Sequence, residues 1–309
     1  MVRRPEAKGG WEYLLLHRAH RGPAYAGDWA WTPPSGARLP GEPVLAGALR
    51  ELAEEAGITS AEPVPVDLSG PWAIFLAEVP AQTQVHLDAE HDRFGWVQAA
   101  EALARCRPAI VAASVAAAAA VPRHDVAFRP LTRADLPDMI AWQRAPHAAR
   151  WFSGQLDLAG AERKYGPRID GSTQVRVHVV LVSGRPCGFI QHYPVADLAP
   201  GDPGTAGIDF GIGVAGLTGM GLAPQLIWAY LGTVVAPRWP GLKAVVASPD
   251  AENTRSIRAL AKAGFTPVAE TVAAASSARP ERPELLYVLH RLHMLGPGPG
   301  PGPGPGPAG

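Results

Sequence analysis

Cysteine is nearly missing from this chain of 309 residues. Its two cysteines, Cys106 and Cys187, stand far apart and in no metal or redox spacing. That excludes a disulfide framework and a cysteine-held zinc site, and leaves two buried thiols in a reducing compartment as the expectation. Charge of either sign is also missing in excess: 28 basic residues face 28 acidic ones. Zero net charge gives no electrostatic case for nucleic acid or an anionic membrane as a partner. No apolar run is long enough to cross a bilayer; Ile110 to Val121 is Ala-rich and too short. It reads as the end of a helix packed on a first domain, or as an Ala-rich connector. No signal peptide opens the chain, and the expected setting is the cytoplasm.

A length of 309 residues with 47% hydrophobic content suits two soluble domains better than one. The organising stretch is Gly36-Ala-Arg-Leu-Pro-Gly-Glu42-Pro-Val-Leu-Ala-Gly-Ala-Leu-Arg50-Glu51-Leu52-Ala-Glu54-Glu55-Ala-Gly57-Ile58. It predicts a loop and then a helix, with Pro43 in the first turn and Gly57 just past the end. Val44, Leu45, Ala48, Leu52 and Ala56 make its apolar stripe. Glu51, Glu54 and Glu55, at i, i+3 and i+4, share a face and repel one another. Something positive must offset them, and a divalent cation with oxygen ligands, such as Mg²⁺, fits.

On three glutamates alone, a solvated acidic face is the ordinary reading. The whole spacing decides otherwise: Gly, five residues, Glu, seven residues, then Arg-Glu-aliphatic-any-Glu-Glu-any-Gly-aliphatic. At ordinary residue usage a chance match at one starting point is roughly one in 10⁹. The stretch resembles the Nudix box. The resemblance implies a Nudix hydrolase, which uses Mg²⁺ or Mn²⁺ to attack a nucleoside diphosphate derivative with water. It also implies roles: Glu54 and Glu55 as metal ligands, Glu51 as ligand or base, and Arg50 orienting Glu54. Pro34-Ser35-Gly36 stands near the family's Pro-Gly-Gly, which makes Gly36 a candidate backbone ligand. Glu90, in a later strand-and-loop segment, is either an extra ligand or base or an exposed loop acid. The family commonly has a further strand before Trp11-Glu-Tyr-Leu-Leu-Leu-His17; Met1 to Gly10 supplies it, or the true start lies upstream.

A second unit is expected from Val126, after a junction at Pro122–Asp125. Thr132 and Asp135 form a helix-start pattern. Strands are expected at Val175–Leu181 and Pro186–Gln191 around a Ser183-Gly184-Arg185 turn, and another at Gly207–Val214. Leu217-Thr-Gly219-Met220-Gly221-Leu222-Ala223-Pro-Gln225 then makes a glycine-rich turn at a helix start, whose free N–H groups suit an anion. Core packing is the default for Trp142, Trp151 and Phe152, an aromatic wall for a substrate the alternative.

Gly221 and Ala223, then Asn253-Thr-Arg-Ser256-Ile257-Arg258 and Lys262-Ala-Gly264-Phe265, resemble the GNAT N-acetyltransferase family over about residues 126 to 293. Within it the likeness is to the aminoglycoside 6′-N-acetyltransferases, with siderophore lysine acyltransferases related. The resemblance implies acetyl-CoA as donor, with Gly219, Met220, Gly221, Leu222 and Ala223 on its pyrophosphate. It implies Ile212, Gly213 and Val214 along the pantetheine, and Asn253 beside the cofactor. Asp209 would bind or deprotonate a small amine acceptor, or it is a strand-end acid in a turn network. Three positions depart from the family: Thr218 replaces Gln or Arg, Leu260 replaces a common tyrosine, and Ser248 stands where aminoglycoside enzymes place an acid. Acids for the acceptor would then come from Asp197, Asp202, Asp209, Glu281 or Glu284.

The expected fold is therefore two α/β (α+β) domains: residues 1–121 as a Nudix α/β/α sandwich with a mixed sheet, and 125–294 as a GNAT mixed sheet flanked by helices. Residues 295–309, a Gly-Pro repeat, form a tail with no core to bury. The expected function is a bifunctional enzyme. The alternative is a nucleotide-sensing Nudix module that regulates an N-acetyltransferase. Oligomeric state is not readable from the chain.

Overall fold

A computed structural model describes residues 1–152, 157–195, 204–273, 281–290 and 294. The Gly-Pro tail, Asp197 and Asp202 lie outside the described residues. The chain divides into two compact units, the first built chiefly from Met1–Arg123 and the second from His124–Ala261 and the chain from Phe265. Among the described residues no helix is long and apolar enough to cross a membrane.

The first unit is organised around β2 (Trp11–Arg18). β6 (His91–Gln98) runs antiparallel along one edge of β2. On the other edge β1 (Val2–Pro5) pairs its start and β3 (Trp31–Thr32) its end. β1 is the strand that Met1–Gly10 was needed to supply. It pairs in parallel with β5 (Ile74–Glu78), and β4 (Val64–Asp67) closes that edge. Leu14, Leu15 and Leu16 are all at 0% exposure because both faces of the sheet are covered. Leu14 and Leu16 pack with Leu52, Ala56 and Ile58 of α1 (Val44–Ala56) and its end. Tyr13 and Leu15 pack on the other face with Ala102 of α2 (Ala99–Arg105) and Val111 and Val115 of α3 (Ala109–Ala119). The Ala-rich run is thus a helix of the sandwich. Pro43 is one place earlier than expected, at the N-cap, and Gly57 ends α1 with φ +68° and its N–H on Ala53.

The second unit is a seven-stranded sheet. Its order is β12 (Thr266–Ala273), β13 (Arg282–His290), β11 (Ala244–Ala247), β10 (Thr205–Ile212), β9 (Arg185–Pro194), β8 (Arg176–Val182), β7 (Val126–Pro130). Ser183 and Gly184 both have positive φ, as a two-residue β8–β9 hairpin turn requires. α4 (Leu136–Arg144) and α5 (Leu158–Ile169) cover one face with Leu136, Met139, Trp142 and Tyr165 against Val177, Val179 and Phe189. Trp142 is therefore core, and a Cβ on Gly213 would strike its ring. The capping box of Thr132 and Asp135 opens the turn before α4.

α6 (Leu222–Tyr230) passes through a π-helical turn, Leu231–Val235, into the short α7 (Ala236–Arg238). α8 (Thr254–Lys262) precedes β12. β10 and β11 pair in parallel at three positions only, Thr205–Gly207 against Ala244–Val246. Beyond Gly207, β10 stays bonded to β9 as far as Ile212, while its other edge has no strand partner among the described residues.

Candidate active sites

In the first unit α1 brings Glu51 and Glu55 to the turn after β3. The Glu51 carboxylate lies against Gly36, where any Cβ would collide with it. Ser35 donates its N–H to Glu55 Oε2 at 2.7 Å. One arginine ties the set together. Arg50 Nη1 donates to Glu51 Oε1 at 2.8 Å and to Glu54 Oε2 at 2.9 Å, and its Nε donates to Glu42 Oε1 at 2.9 Å. Glu42 in turn accepts from Leu39 N–H at 2.9 Å, so the fourth glutamate of the stretch anchors the arginine and the loop.

Glu55 is 5% exposed. Burial pushes its carboxyl up to about 7; the Ser35 bond works against this, and the charges of Glu51 and Asp88 add to it. His91 holds Asp88 Oδ1 through Nδ1 at 2.8 Å, while its buried Nε2, 4.0 Å from Glu55 Oε1, has no hydrogen-bond partner among the described residues. Glu90 is exposed, and its side chain makes no hydrogen bond or ion pair among the described residues. The acid that reaches the cluster from this loop is Asp88, two residues earlier.

Near Pro33–Ser35 a cavity of about 110 Å³ is lined by Trp29, Thr32, Trp72 and Phe75. Trp29 and Trp72 are exposed, with ring centroids 6.0 Å apart. Trp29 has φ +64°, a conformation that costs energy for a bulky residue. Thr32 Oγ1 is buried there without a hydrogen-bond partner among the described residues.

In the second unit Asp209 lies on β10 just past the last residue paired with β11. Gln191 Nε2 donates to its Oδ2 at 2.7 Å, and Arg168 Nη1 donates to Gln191 Oε1 at 2.7 Å. The Tyr193 hydroxyl also bonds Asp209. The Asp209 carboxyl is open to solvent and has much protein around it. Desolvation raises its pKa, against the Gln191 and Tyr193 bonds. Glu284, on β13, is raised by burial and by the charges of Asp209 and Asp250, against the pull of Arg282. Asp209 and Glu284 are thus close enough to feel each other, and Glu281 is exposed.

After β10 the chain turns into α6. Gly219 (φ +79°) and Gly221 (φ +72°) are left-handed. The N–H groups of Gly219, Met220, Gly221, Leu222 and Ala223 have no backbone acceptor among the described residues.

The NUDIX domain family matches residues 2–117, and the acetyltransferase (GNAT) domain family matches residues 132–272. The chain carries a NUDIX domain and a GNAT acetyltransferase domain. With these two domains the chain is an enzyme. Over 149 residues it is 28% identical to an aminoglycoside N(6′)-acetyltransferase type 1 of Klebsiella pneumoniae, covering 45% of this chain and 73% of that one. The protein of the same description from Serratia marcescens matches to the same extent. A crystal structure of aminoglycoside acetyltransferase AAC(6′)-Ib in complex with coenzyme A is 25% identical, with a TM-score of 0.48, over 55% of this chain and 96% of that one.

In the GNAT domain some expected cofactor contacts are otherwise engaged. The N–H groups of Gly213 and Val214 both point at Cys187 O, at 2.8 and 3.2 Å, and Ile212 O bonds His147 Nε2 at 2.8 Å. Asn253 Oδ1 accepts from Ser256 N–H at 3.1 Å and so caps α8. The open N–H set is therefore the Gly219–Ala223 turn.

In the NUDIX domain no three His, Cys, Asp or Glu among the described residues are gathered tightly enough to hold a metal ion as they stand. Arg50 holds Glu42, Glu51 and Glu54 of the box. The donors nonetheless suit a hard cation: they are carboxylate oxygens, burial and then the charges of Glu51 and Asp88 keep Glu55 from ionising readily, and only glycine at 36 leaves room for Glu51. Asp88, Gln191 and Tyr193 escaped the sequence reading. Asp88 carried the same acid signal as Glu90; only the fold tells them apart.

Proposed function

We propose that the two domains catalyse two reactions: hydrolysis of a nucleoside diphosphate derivative with a divalent cation, and acetyl transfer from acetyl-CoA to a small amine. For the NUDIX domain, what carries the reading is the Glu51–Gly36 packing, which sets a box carboxylate against the turn before α1 with no space to spare. Glu54, Glu55, Glu51 and the Gly36 backbone would hold Mg²⁺ or Mn²⁺, with Asp88 close by. Such a cation neutralises phosphate charge and lowers the pKa of water. A carboxylate of the set takes the proton of the attacking water. Arg50 orients Glu51 and Glu54 until the cation claims them, and the exposed Trp29–Trp72 pair offers a stacking face for the substrate's base.

For the GNAT domain, one strand supports the reading. β10 carries Asp209 where β11 departs and ends at the turn whose N–H groups are open. That turn suits the pyrophosphate of acetyl-CoA, because free N–H groups and the helix dipole both favour an anion. Asp209, aided by Glu284, binds the acceptor as its ammonium form and takes its proton. The free amine then attacks the thioester carbonyl carbon, the C–S bond breaks, and the thiolate leaves to be protonated. The K. pneumoniae and S. marcescens relatives point to an aminoglycoside-like amine as the acceptor class.

The test is two assays on the purified chain. Phosphate and pyrophosphate release from nucleoside triphosphates and nucleotide sugars with Mg²⁺ should be lost in Glu54→Gln. Thiol release from acetyl-CoA should require an amine and fall in Asp209→Asn. Nucleotide binding without turnover, unchanged in Glu54→Gln, would replace the hydrolase with a sensor.

A further inference from the structure

A second cavity lies in the GNAT unit at the other end of the sheet from the Gly219–Ala223 turn, where β7 and β9 end and β8 begins. It has a volume of about 290 Å³, near the lower end of small-molecule sites at about 300 Å³. Arg168, Arg176 and Arg238 line it together with His178 and His192. No carboxylate lines it among the described residues. The three guanidiniums find only neutral acceptors: Gln191 Oε1 for Arg168, Thr173 O and Val175 O for Arg176, and Val234 O for Arg238. Elsewhere in this unit Arg129, Arg133 and Arg282 pair with Asp135, Asp170 and Asp250. Three arginines around one hollow with no carboxylate in its lining give it a positive field that favours an anion.

The two imidazoles complete the polar lining. Both bond the buried Tyr230 hydroxyl through Nδ1, His192 at 2.7 Å and His178 at 2.9 Å. The hydroxyl has one proton, so it donates to one ring and accepts from the other. Two neutral rings then differ in tautomer: one turns an Nε2–H donor outward, the other an Nε2 lone pair. Neither Nε2 has a partner among the described residues. Burial holds both rings down to about 4, helped at His178 by His192 and Arg238 and at His192 by Arg176 and Arg238, so they are neutral at pH 7. His192 is only 8% exposed. The result is a fork of guanidinium donors around at least one fixed imidazole N–H, an array suited to tetrahedral oxyanions.

We propose that this cavity binds a phosphate group, either the free ion or the head of a small phosphate monoester. The proposal does not depend on the reaction assigned to either domain. Isothermal titration of the full chain in EDTA, with inorganic phosphate and separately with glycerol 3-phosphate, tests it. We expect saturable binding that weakens roughly tenfold for each arginine removed in Arg176→Gln and Arg238→Gln. Both arginines are exposed, so the variants should fold. Arg168 is left intact because its bond to Gln191 leads to Asp209. On the unmutated chain, the imidazole NMR signals of His178 and His192 should shift as binding saturates. A monoester that binds tenfold tighter than the free ion identifies the ester as ligand; equal affinities identify free phosphate. Absence of saturable binding by both probes overturns the proposal. So does binding that leaves the imidazole signals still, or that persists at full strength without Arg176 and Arg238, since the anion would then sit elsewhere.

Discussion

Replacing Gly36 with alanine isolates one geometric demand of the NUDIX site. No positive φ is involved at Gly36, so the backbone itself accepts alanine. The obstacle is the Glu51 carboxylate, which occupies the space of the new methyl group. Carbon and oxygen settle at about 3.5 Å, so Glu51 must swing away by more than about 1 Å. That motion breaks its 2.8 Å bond from Arg50 and carries it off the face it shares with Glu54 and Glu55. A displacement of about 1 Å at a reacting site costs roughly 10²-fold in rate. Global stability should change by less than about 1 kcal/mol, because the carboxylate is swung aside and no core contact is lost. The assays are phosphate release under saturating Mg²⁺, Mn²⁺ binding followed by electron paramagnetic resonance, and a thermal melt. Slower turnover and weaker Mn²⁺ binding with an unchanged melt are expected. Full turnover and full Mn²⁺ affinity in Gly36→Ala would show that Glu51 is not needed where it lies.

Asp209→Asn should cut amine-dependent thiol release by about 10² to 10⁴, the range for a lost general base. Because the proposed role of Asp209 needs its anion, the unmutated rate should rise with pH through its raised pKa, and the variant should lose that limb. Tyr230→Phe should cost about 1–3 kcal/mol in a urea melt, since Tyr230 is 0% exposed and one imidazole N–H is left buried without an acceptor. His178 and His192, held down to about 4 when folded, bind protons more readily unfolded, at about 6.5. Stability is therefore present above about 6.5 and lost as pH falls toward 4, by up to about 3 kcal/mol per ring. Urea midpoints at pH 7 and pH 5 check the sign, and an equal or higher midpoint at pH 5 would refute it.

What the sequence made legible was local. The Gly36–Ile58 stretch fixes a loop, a helix and a shared carboxylate face within 23 consecutive residues, and α1 follows it closely. The Leu14–Leu16 run reads as a buried strand, and the two-sided sheet explains why it does not alternate. β4, α5, β12 and β13 were not read, because their apolar residues follow neither period for long. β12 is mostly an exposed strand, with Val268 at 55% and Val272 at 65%. Partnerships across the sheet escaped for another reason. Gln191 meets Asp209 only because β9 and β10 pair in that register, and Glu284 nears Asp209 only through the order β13-β11-β10. Asp88 outranks Glu90 because of how the loop before β6 is folded, which composition does not record.

Arg50 carries a consequence for how the NUDIX unit's carboxylate face holds together. Many carboxylate-rich sites are loose until an ion arrives, and folding then waits on supply. Here the helix brings its own counter-ion: a guanidinium, three residues before Glu54's neighbour Ala53, already satisfies Glu42, Glu51 and Glu54. The carboxylate face of the unit is therefore held by the chain's own cation. On the proposed metal-dependent reading, loading is an exchange of one cation for another, so the apparent affinity for the incoming ion would measure a difference between two positively charged occupants of the same face.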